Sequence, residues 1–173
     1  APRRPNVLLI VLDTTRADIL SAYGYPKPTS PSLDALAREG VLFRQAISTD
    51  FWTLAAHASL FTGLYPDRTG VVNHSVHDRL TQSSEPTLAE LASRAGYQTA
   101  AVVTNPWLSD PKMGFNRGFT TWVTEDDQGR RGRLLGAQRV TDLARGVLQS
   151  LDQQPFVLWV HYLDPHMPYR PPQ

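Results

Sequence analysis

The sequence predicts an α/β fold with a mostly parallel sheet that is flanked by helices on both faces. Apolar runs alternate along the chain with segments of helical period, and this alternation is typical of parallel sheets covered by helices. The first run, residues 6–12 (N-V-L-L-I-V-L), is continuously apolar. Such a run is typical of a central strand that is buried on both faces.

Boundary residues predict where the next elements begin and end. Ser30 and Pro31 are suited to the N-cap and the first position of a helix, which Gly40 ends. Residues 41–47 (V-L-F-R-Q-A-I) predict a second strand. A second helix is predicted to begin at Thr53, in the stretch W-T-L-A-A-H-A-S-L-F-T-G.

The second half of the chain continues the alternation. A helix is predicted from Pro86 to Gly96, and residues 97–103 (Y-Q-T-A-A-V-V) form a strand rich in β-branched residues. A polar loop is predicted at 66–84 and an irregular stretch at 105–127. An amphipathic helix is predicted at 134–151 and a last apolar strand at 156–162.

Composition excludes several classes of protein. With 173 residues, 41% of them hydrophobic, the chain is long enough for one domain with a core. A net charge of +1 gives no indication of a nucleic-acid-binding surface. The absence of cysteine excludes disulfides and thiolate metal sites. No apolar run is long enough to be a transmembrane segment. The Ala1-Pro2 start suits a processed chain, and the Pro-rich end suggests part of a longer protein.

Candidate functional residues follow the predicted strands at one edge of the sheet. In parallel α/β folds, ligands lie beyond the carboxyl ends of the strands. Asp13 follows the first strand, Asp164 and His166 follow the last, and Thr53 comes after residues 41–47. We therefore expect these side chains to converge on one site.

Asp13 is a candidate metal ligand. A carboxylate that directly follows a buried apolar run is costly unless it is paired or bound to a cation. Its oxygens suit calcium, magnesium or manganese. The alternative is that Asp13 caps a helix or pairs with Arg16.

Thr53 has two interpretations. Its hydroxyl is either an ordinary helix N-cap or a reactive group placed where backbone amides and the helix dipole favour negative charge. His57 lies four residues on and therefore on the same helical face. Three interpretations of His57 are open: it bonds the Thr53 hydroxyl, it contacts a bound oxyanion, or it only packs against neighbouring side chains.

Two imidazoles and a carboxylate lie within six residues after the last strand, in H-Y-L-D-P-H. Such imidazoles donate to anions, act as general acids or bind metals. We take His161 and Asp164 as candidate substrate-binding residues and His166 as a candidate catalytic residue. The alternative is that these polar side chains belong to a surface loop and have no role in a site.

Three blocks, in this order, resemble the sulfatase family of the alkaline-phosphatase superfamily. They are P-N-V-L-L-I-V-L-D-T-T-R-A-D-I-L-S-A-Y-G, W-T-L-A-A-H-A-S-L-F-T-G-L-Y-P-D-R-T-G-V and H-Y-L-D-P-H-M-P-Y-R-P-P. The resemblance covers the chain from Pro5 onward. It implies that residues 1–173 are the N-terminal portion of a sulfatase-like catalytic domain. The family's remaining metal ligands come from a later part, so activity is expected to need that part or a partner chain.

The resemblance also implies residue roles. Asp13 is a metal ligand, and Thr14 stands where many sulfatases have a second acidic ligand. Thr53 falls at the metal-site position that is usually a Cys or Ser converted to formylglycine. His57 stands where the family usually shows Arg, and His166 matches the histidine that contacts the sulfate group.

Two departures from the family pattern are visible. Ala55 replaces a proline near the nucleophile position. After the strand that matches 97–103, sulfatases tend to place a Lys and a His, whereas this chain has T-N-P-W. The sequence therefore predicts that those two groups are absent.

Threonine at position 53 has a chemical consequence. Oxidation of its side chain would give a ketone instead of an aldehyde, so the expected nucleophile is the unmodified Thr53 alkoxide. Relatives in the superfamily use unmodified Ser or Thr on phosphate esters.

The leading hypothesis is a metal-dependent hydrolase of sulfate esters, in which Thr53 attacks and His57 and His166 stabilise the transferred group and the leaving group. The alternatives are a phosphate mono- or diester hydrolase or phosphoryl-group transferase, and a catalytically inactive binding module. The implied cofactor is a divalent ion, calcium first, then magnesium, manganese or zinc. Because many relatives are exported, a periplasmic or secreted location is favoured.

Overall fold

The computed structural model describes residues 4–72, 77–126, 128–131, 135–151 and 154–169. The chain divides into two compact units, one formed by Ala1–Asp13 with Thr49–Gln173 and the other by Thr14–Ser48. Leu134, where a helix was predicted to begin, and residues 170–173 of the Pro-rich end lie outside the described residues.

A parallel sheet of four strands organises the first unit. In chain order the strands are β1 (Val7–Leu12), β2 (Gln98–Val103), β3 (Thr121–Val123) and β4 (Phe156–Tyr162). Their spatial order is β1-β4-β2-β3, and every pairing is parallel. The predicted α/β class is therefore confirmed. The short strand β3 lies within the stretch that was predicted to be irregular.

Helices cover both faces of this sheet, as predicted. Helix α2 (Thr53–Thr62) packs against one face, where Leu54 and Trp159 belong to one buried cluster. Helix α6 (Gly136–Ser150) packs against the other face, where Val140 joins Leu158 and Val160. Three shorter helices complete the unit: α3 (Pro66–Thr69), α4 (Leu88–Arg94) and α5 (Pro106–Ser109). No helix in the described ranges is both long and apolar enough to cross a membrane.

The second unit contains helix α1 (Pro31–Glu39), which begins and ends as predicted. The predicted strand at 41–47 is wrong, because these residues form turns and irregular backbone. Val41, Phe43 and Ile47 are 70–90% exposed. Strand-forming side chains become a strand only when a neighbouring strand takes up their backbone hydrogen bonds, and residues 41–47 have no such neighbour in the structure described.

Strand β1 is not the fully covered central strand that its apolar run predicted. Within the described sheet it is an edge strand that pairs only with β4. Leu8 and Ile10 lie opposite Leu158 and Val160, yet they are 50% and 52% exposed. The apolar run thus predicted the strand correctly, but it overestimated how much of that strand is covered.

Two glycines with similar backbone angles offer a matched test of packing. Gly118 has φ +83°, and a Cβ there would lie 2.2 Å from the backbone nitrogen of Glu90. Gly129 has φ +71° and no described atom within 4 Å of such a Cβ. We predict that Gly129→Ala lowers the free energy of unfolding by about 1 kcal/mol, the cost of the left-handed conformation, and Gly118→Ala by roughly 3 kcal/mol or more. Urea unfolding measures both; equal losses would contradict the described packing.

A buried carboxylate near α6 predicts a pH effect on stability. Asp126 accepts hydrogen bonds from Nε of Arg130 at 2.7 Å and from the amides of Gln128 and Arg130. Burial alone would raise the pKa of Asp126, but these donors outweigh it and lower the pKa to about 2. Since the ordinary value is 3.8, the ionised carboxylate stabilises the fold above that pH, and this contribution is lost as the pH falls toward 2.

Asp126→Asn should therefore be less stable than the parent at neutral pH and should lose less stability on acidification. Urea midpoints measured at several pH values between about 6 and 3 test this expectation. Asp142→Asn, at an exposed position of α6, is the control. An Asp126→Asn profile parallel to the parent's would contradict the prediction.

Candidate functional site

The end of β1 places Asp13 at the carboxyl edge of the sheet. The amide of Asp13 donates to the carbonyl of Tyr162 at 3.0 Å and so continues the pairing of β1 with β4. Its side chain is buried, with the residue only 7% exposed. Oδ2 accepts a hydrogen bond from Nδ2 of Asn105 at 2.8 Å and lies 3.6 Å from Nε2 of His161. The carboxylate thus lies between His161 of β4 and Asn105, which follows β2.

The amide partner comes from the residues that follow β2. Asn105 is buried, and its Oδ1 accepts a hydrogen bond from the amide of Trp107 at 2.9 Å, which caps α5. Thr104 donates from Oγ1 to the carbonyl of His161 at 2.8 Å. Neither residue was predicted from the sequence, because the segment was compared only with the Lys and His that the family tends to carry there. The rule that singled out Asp13, a polar residue directly after a strand, would have found them.

His161 lies on the face of β4 that packs against α2. It is fully buried, and neither ring nitrogen has a hydrogen-bond partner among the described residues. Its ring centroid lies 5.4 Å from that of His57. Burial, followed by the neighbouring His57, lowers the pKa of His161 to about 4, against the opposing effect of Asp13. The imidazole of His161 is therefore neutral at neutral pH.

His57 bonds the main chain of Thr53, not its hydroxyl. Nδ1 of His57 lies 2.8 Å from the Thr53 carbonyl, which only accepts, so Nδ1 carries the proton. Burial lowers the pKa of His57 despite that bond and despite Asp13. The ring is therefore neutral, and Nε2 presents a lone pair that has no hydrogen-bond partner within the described structure.

Thr53 is the first residue of α2, and Trp52 occupies the N-cap position ahead of it. Thr53 is half-buried. Its role as an ordinary N-cap, one of the two interpretations from sequence, is therefore not what the structure shows. The carbonyl of Thr53 bonds His57, the ring of His57 packs near that of His161, and Nε2 of His161 lies 3.6 Å from Oδ2 of Asp13. We call the four side chains Asp13, His57, Asn105 and His161 the carboxylate cluster.

The structure also describes the other candidates, Thr14, Asp164 and His166. Thr14 belongs to the second unit and has a left-handed φ of +56°. Oδ1 of Asp164 accepts a hydrogen bond from the amide of Ala137 at 2.7 Å, at the start of α6. His166 is half-buried, and its Nδ1 donates to the Met167 carbonyl at 2.8 Å.

The alternative ion pair between Arg16 and Asp13 has a competitor. Nε of Arg16 donates to Oδ1 of Asp18 at 2.9 Å within the second unit. Within the first unit, Oδ2 of the Asp13 carboxylate accepts a hydrogen bond from the neutral amide of Asn105.

The carboxylate cluster fits part of a divalent-cation site. A buried carboxylate at the sheet edge suits a hard cation. Nε2 of His57 and both ring nitrogens of His161 have no hydrogen-bond partner among the described residues. However, no group of three or more His, Asp or Glu side chains in the described ranges is arranged to hold a metal ion. The chain thus offers Asp13 as one strong ligand and supplies only part of a shell.

Two solved structures show the same fold. BT4656 in complex with its substrate D-glucosamine-2-N,6-O-disulfate matches with a TM-score of 0.81 at 24% identity, over 98% of this chain and 36% of that one. The phosphonate monoester hydrolase of Agrobacterium radiobacter matches with a TM-score of 0.77 at 25% identity, over 98% and 43%.

The sequence comparisons identify the family. Human N-acetylgalactosamine-6-sulfatase is 32% identical over 135 residues, which cover 70% of this chain and 26% of the human protein. The chain thus spans about a quarter of the length of that curated relative. The model of the sulfatase family matches residues 5–173. The chain belongs to the sulfatase family.

Proposed function

We propose that this chain forms part of a metal-dependent hydrolase that cleaves sulfate esters. The observation that carries the proposal is the buried Asp13 carboxylate, set beside two neutral imidazoles at the carboxyl edge of the sheet, in a chain of the sulfatase family. Sulfated sugars are the first probes to use, because human N-acetylgalactosamine-6-sulfatase and the BT4656 complex are its relatives in sequence and in fold.

Thr53 is the proposed nucleophile. Its Oγ would attack the sulfur of the ester, forming an O–S bond while the S–O bond to the alcohol breaks, and its hydroxyl proton would leave to solvent. His166 would give a proton to the departing alcohol. Water would then attack the sulfur of the sulfo-threonine and release sulfate. One proton of that water would regenerate the Thr53 hydroxyl, and the other would return to His166. The position of Thr53 at the start of α2 supports this role, because the N-terminus of a helix favours developing negative charge.

The proposed cation ligands are Asp13, Thr14 and Thr53, with calcium as the first candidate ion. When bound, such an ion would lower the pKa of a hydroxyl beside it and neutralise charge on the transferred group. His57 presents a lone pair at Nε2, so we assign it to accept a hydrogen bond, in place of donating one to the sulfate oxygens. His161 and Asp164 remain the proposed substrate-binding residues.

Completion of the site is proposed to require protein outside residues 1–173. The described cation shell is partial, and β1 presents the exposed side chains of Leu8 and Ile10 at the edge of its sheet. A further segment of the same protein, or a partner chain, would supply the missing ligands. Export to the periplasm or secretion is proposed on the resemblance to exported sulfatases.

A phosphoryl-transfer reaction is the second candidate. The phosphonate monoester hydrolase of Agrobacterium radiobacter shares the fold, and a threonine nucleophile suits attack at phosphorus as well as at sulfur. Turnover of phosphate esters without turnover of sulfate esters would establish this reaction in place of the first. A metal-free fold without turnover of either ester would leave a binding module.

Replacement of the nucleophile tests the covalent step. In the full-length protein, Thr53→Ala should lower the rate of sulfate release by roughly 1000-fold or more, because no alkoxide can form. Thr53→Ser should retain part of the activity. Mass spectrometry of acid-quenched enzyme should locate a sulfo group on the peptide that contains Thr53.

The control for this test is Thr62→Ala, at the other end of α2, where Oγ1 donates to the Ala58 carbonyl at 2.7 Å. This variant should keep the parent's activity. Full activity in Thr53→Ala would rule out both the sulfate and the phosphate mechanism.

Removal of the cation tests metal dependence. Treatment with a chelator, and separately Asp13→Asn, should each reduce turnover by about 100-fold, because several kcal/mol of transition-state stabilisation are lost. Added calcium should restore the chelated parent but not the variant. Asp142→Asn, at an exposed site on α6, should respond like the parent. Undiminished turnover in excess chelator would refute the metal dependence.

A further inference from the structure

We propose that Asn105 is a positioning residue that orients the Asp13 carboxylate for cation binding. This inference rests on the proposed function, since it assigns Asp13 to a cation. Asn105 follows β2, at the place where the family tends to carry Lys. It donates from Nδ2 to Oδ2 of Asp13 at 2.8 Å.

The orientation of the Asn105 amide is fixed at both ends. Its Oδ1 accepts a hydrogen bond from the amide of Trp107 at 2.9 Å, and its Nδ2 donates to Asp13. A flipped amide would turn an acceptor toward a carboxylate and a donor toward a backbone N–H, which loses both bonds. Because Asn105 is only 3% exposed, water does not readily replace these partners. The donor is therefore held toward Asp13 before any ligand arrives.

The neutrality of the donor matters for the charge at the site. A lysine donor at this position would add a positive charge beside Asp13. An amide satisfies one oxygen of the carboxylate but leaves its full negative charge in place. The other neighbour of Oδ2 is Nε2 of His161, at 3.6 Å. Asn105 thus stabilises a buried carboxylate without weakening its attraction for a cation.

Supporting groups of this kind act by fixing the geometry of a ligand, and their loss typically weakens metal affinity by 10–100-fold. The positioning role proposed for Asn105 can be separated from its role in capping α5. Its carbonyl oxygen caps α5, whereas only its nitrogen contacts Asp13.

Asn105→Ser separates these two roles. The serine hydroxyl retains a cap acceptor for the Trp107 amide, but it is too short to reach Asp13. Asp110→Ser is the matched control: Asp110 caps the next turn, at the amide of Lys112, and is exposed. Calorimetric titration of the full-length protein with calcium alone is the measurement, accompanied by melting curves in chelator and by kcat at low and saturating calcium.

The calcium Kd of Asn105→Ser should rise about 10–100-fold. Its melting temperature in chelator should lie below that of Asp110→Ser, because Asp13 loses its buried partner, so the titrations are made well below both melting temperatures. Saturating calcium should restore most of its kcat. A Kd equal to the parent's, or an equal rise in the control, would overturn the inference.

The two proposals fail in different ways. If the parent binds calcium and hydrolyses sulfate esters while Asn105→Ser binds calcium equally well, the inference alone falls. If the Kd rises as expected but only phosphate esters turn over, the inference stands and the proposed sulfate reaction falls. A parent that binds no cation overturns both.

Discussion

The burial of one carboxylate constrains the whole edge of this sheet. An ionised Asp13 without a partner would cost several kcal/mol in so apolar a position. The parallel register aligns Leu12 with Tyr162 and Val103 with His161. It therefore brings the residues that follow β1 and β2 together beside His161, near the end of β4. The amide of Asn105 then reaches Oδ2. A shift of one residue in either pairing would remove that contact.

The charge of the carboxylate cluster explains why a cation belongs in the proposed reaction. His57 and His161 are neutral because burial lowers their pKa values, and Asn105 carries no charge. Asp13 therefore leaves the cluster with a single negative charge. A sulfate monoester is also an anion, and two such charges about 4 Å apart repel by about 4 kcal/mol in a partly solvated site. The cluster by itself would repel the substrate that the family implies.

Periodicity and strand-end logic predicted much of this structure, and their failures have identifiable causes. The apolar runs of β1 and β4 and the placement of Asp13 required only local pattern. The strand at 41–47 failed because pairing depends on a neighbour that local sequence does not reveal. Asn105 was overlooked because it was compared with an expected lysine instead of being read as a strand-end polar residue. His57 bonds the carbonyl of Thr53 instead of its hydroxyl because of how the side chains pack. The spacing of residues in the sequence does not predict that packing.

The pairing of β1 with β4 has a consequence for how the protein is made. The side chain of Asn6 accepts a hydrogen bond from the amide of Phe156, 150 positions along the chain. During synthesis β1 therefore emerges before β4 and waits roughly 8–30 s for it, at ordinary rates of elongation. Throughout that interval Asp13 is hydrated and has no site around it. The edge that carries Asp13 is consequently among the last parts of this unit to assemble, and the apolar strand β1 is the part that a chaperone has most reason to shield.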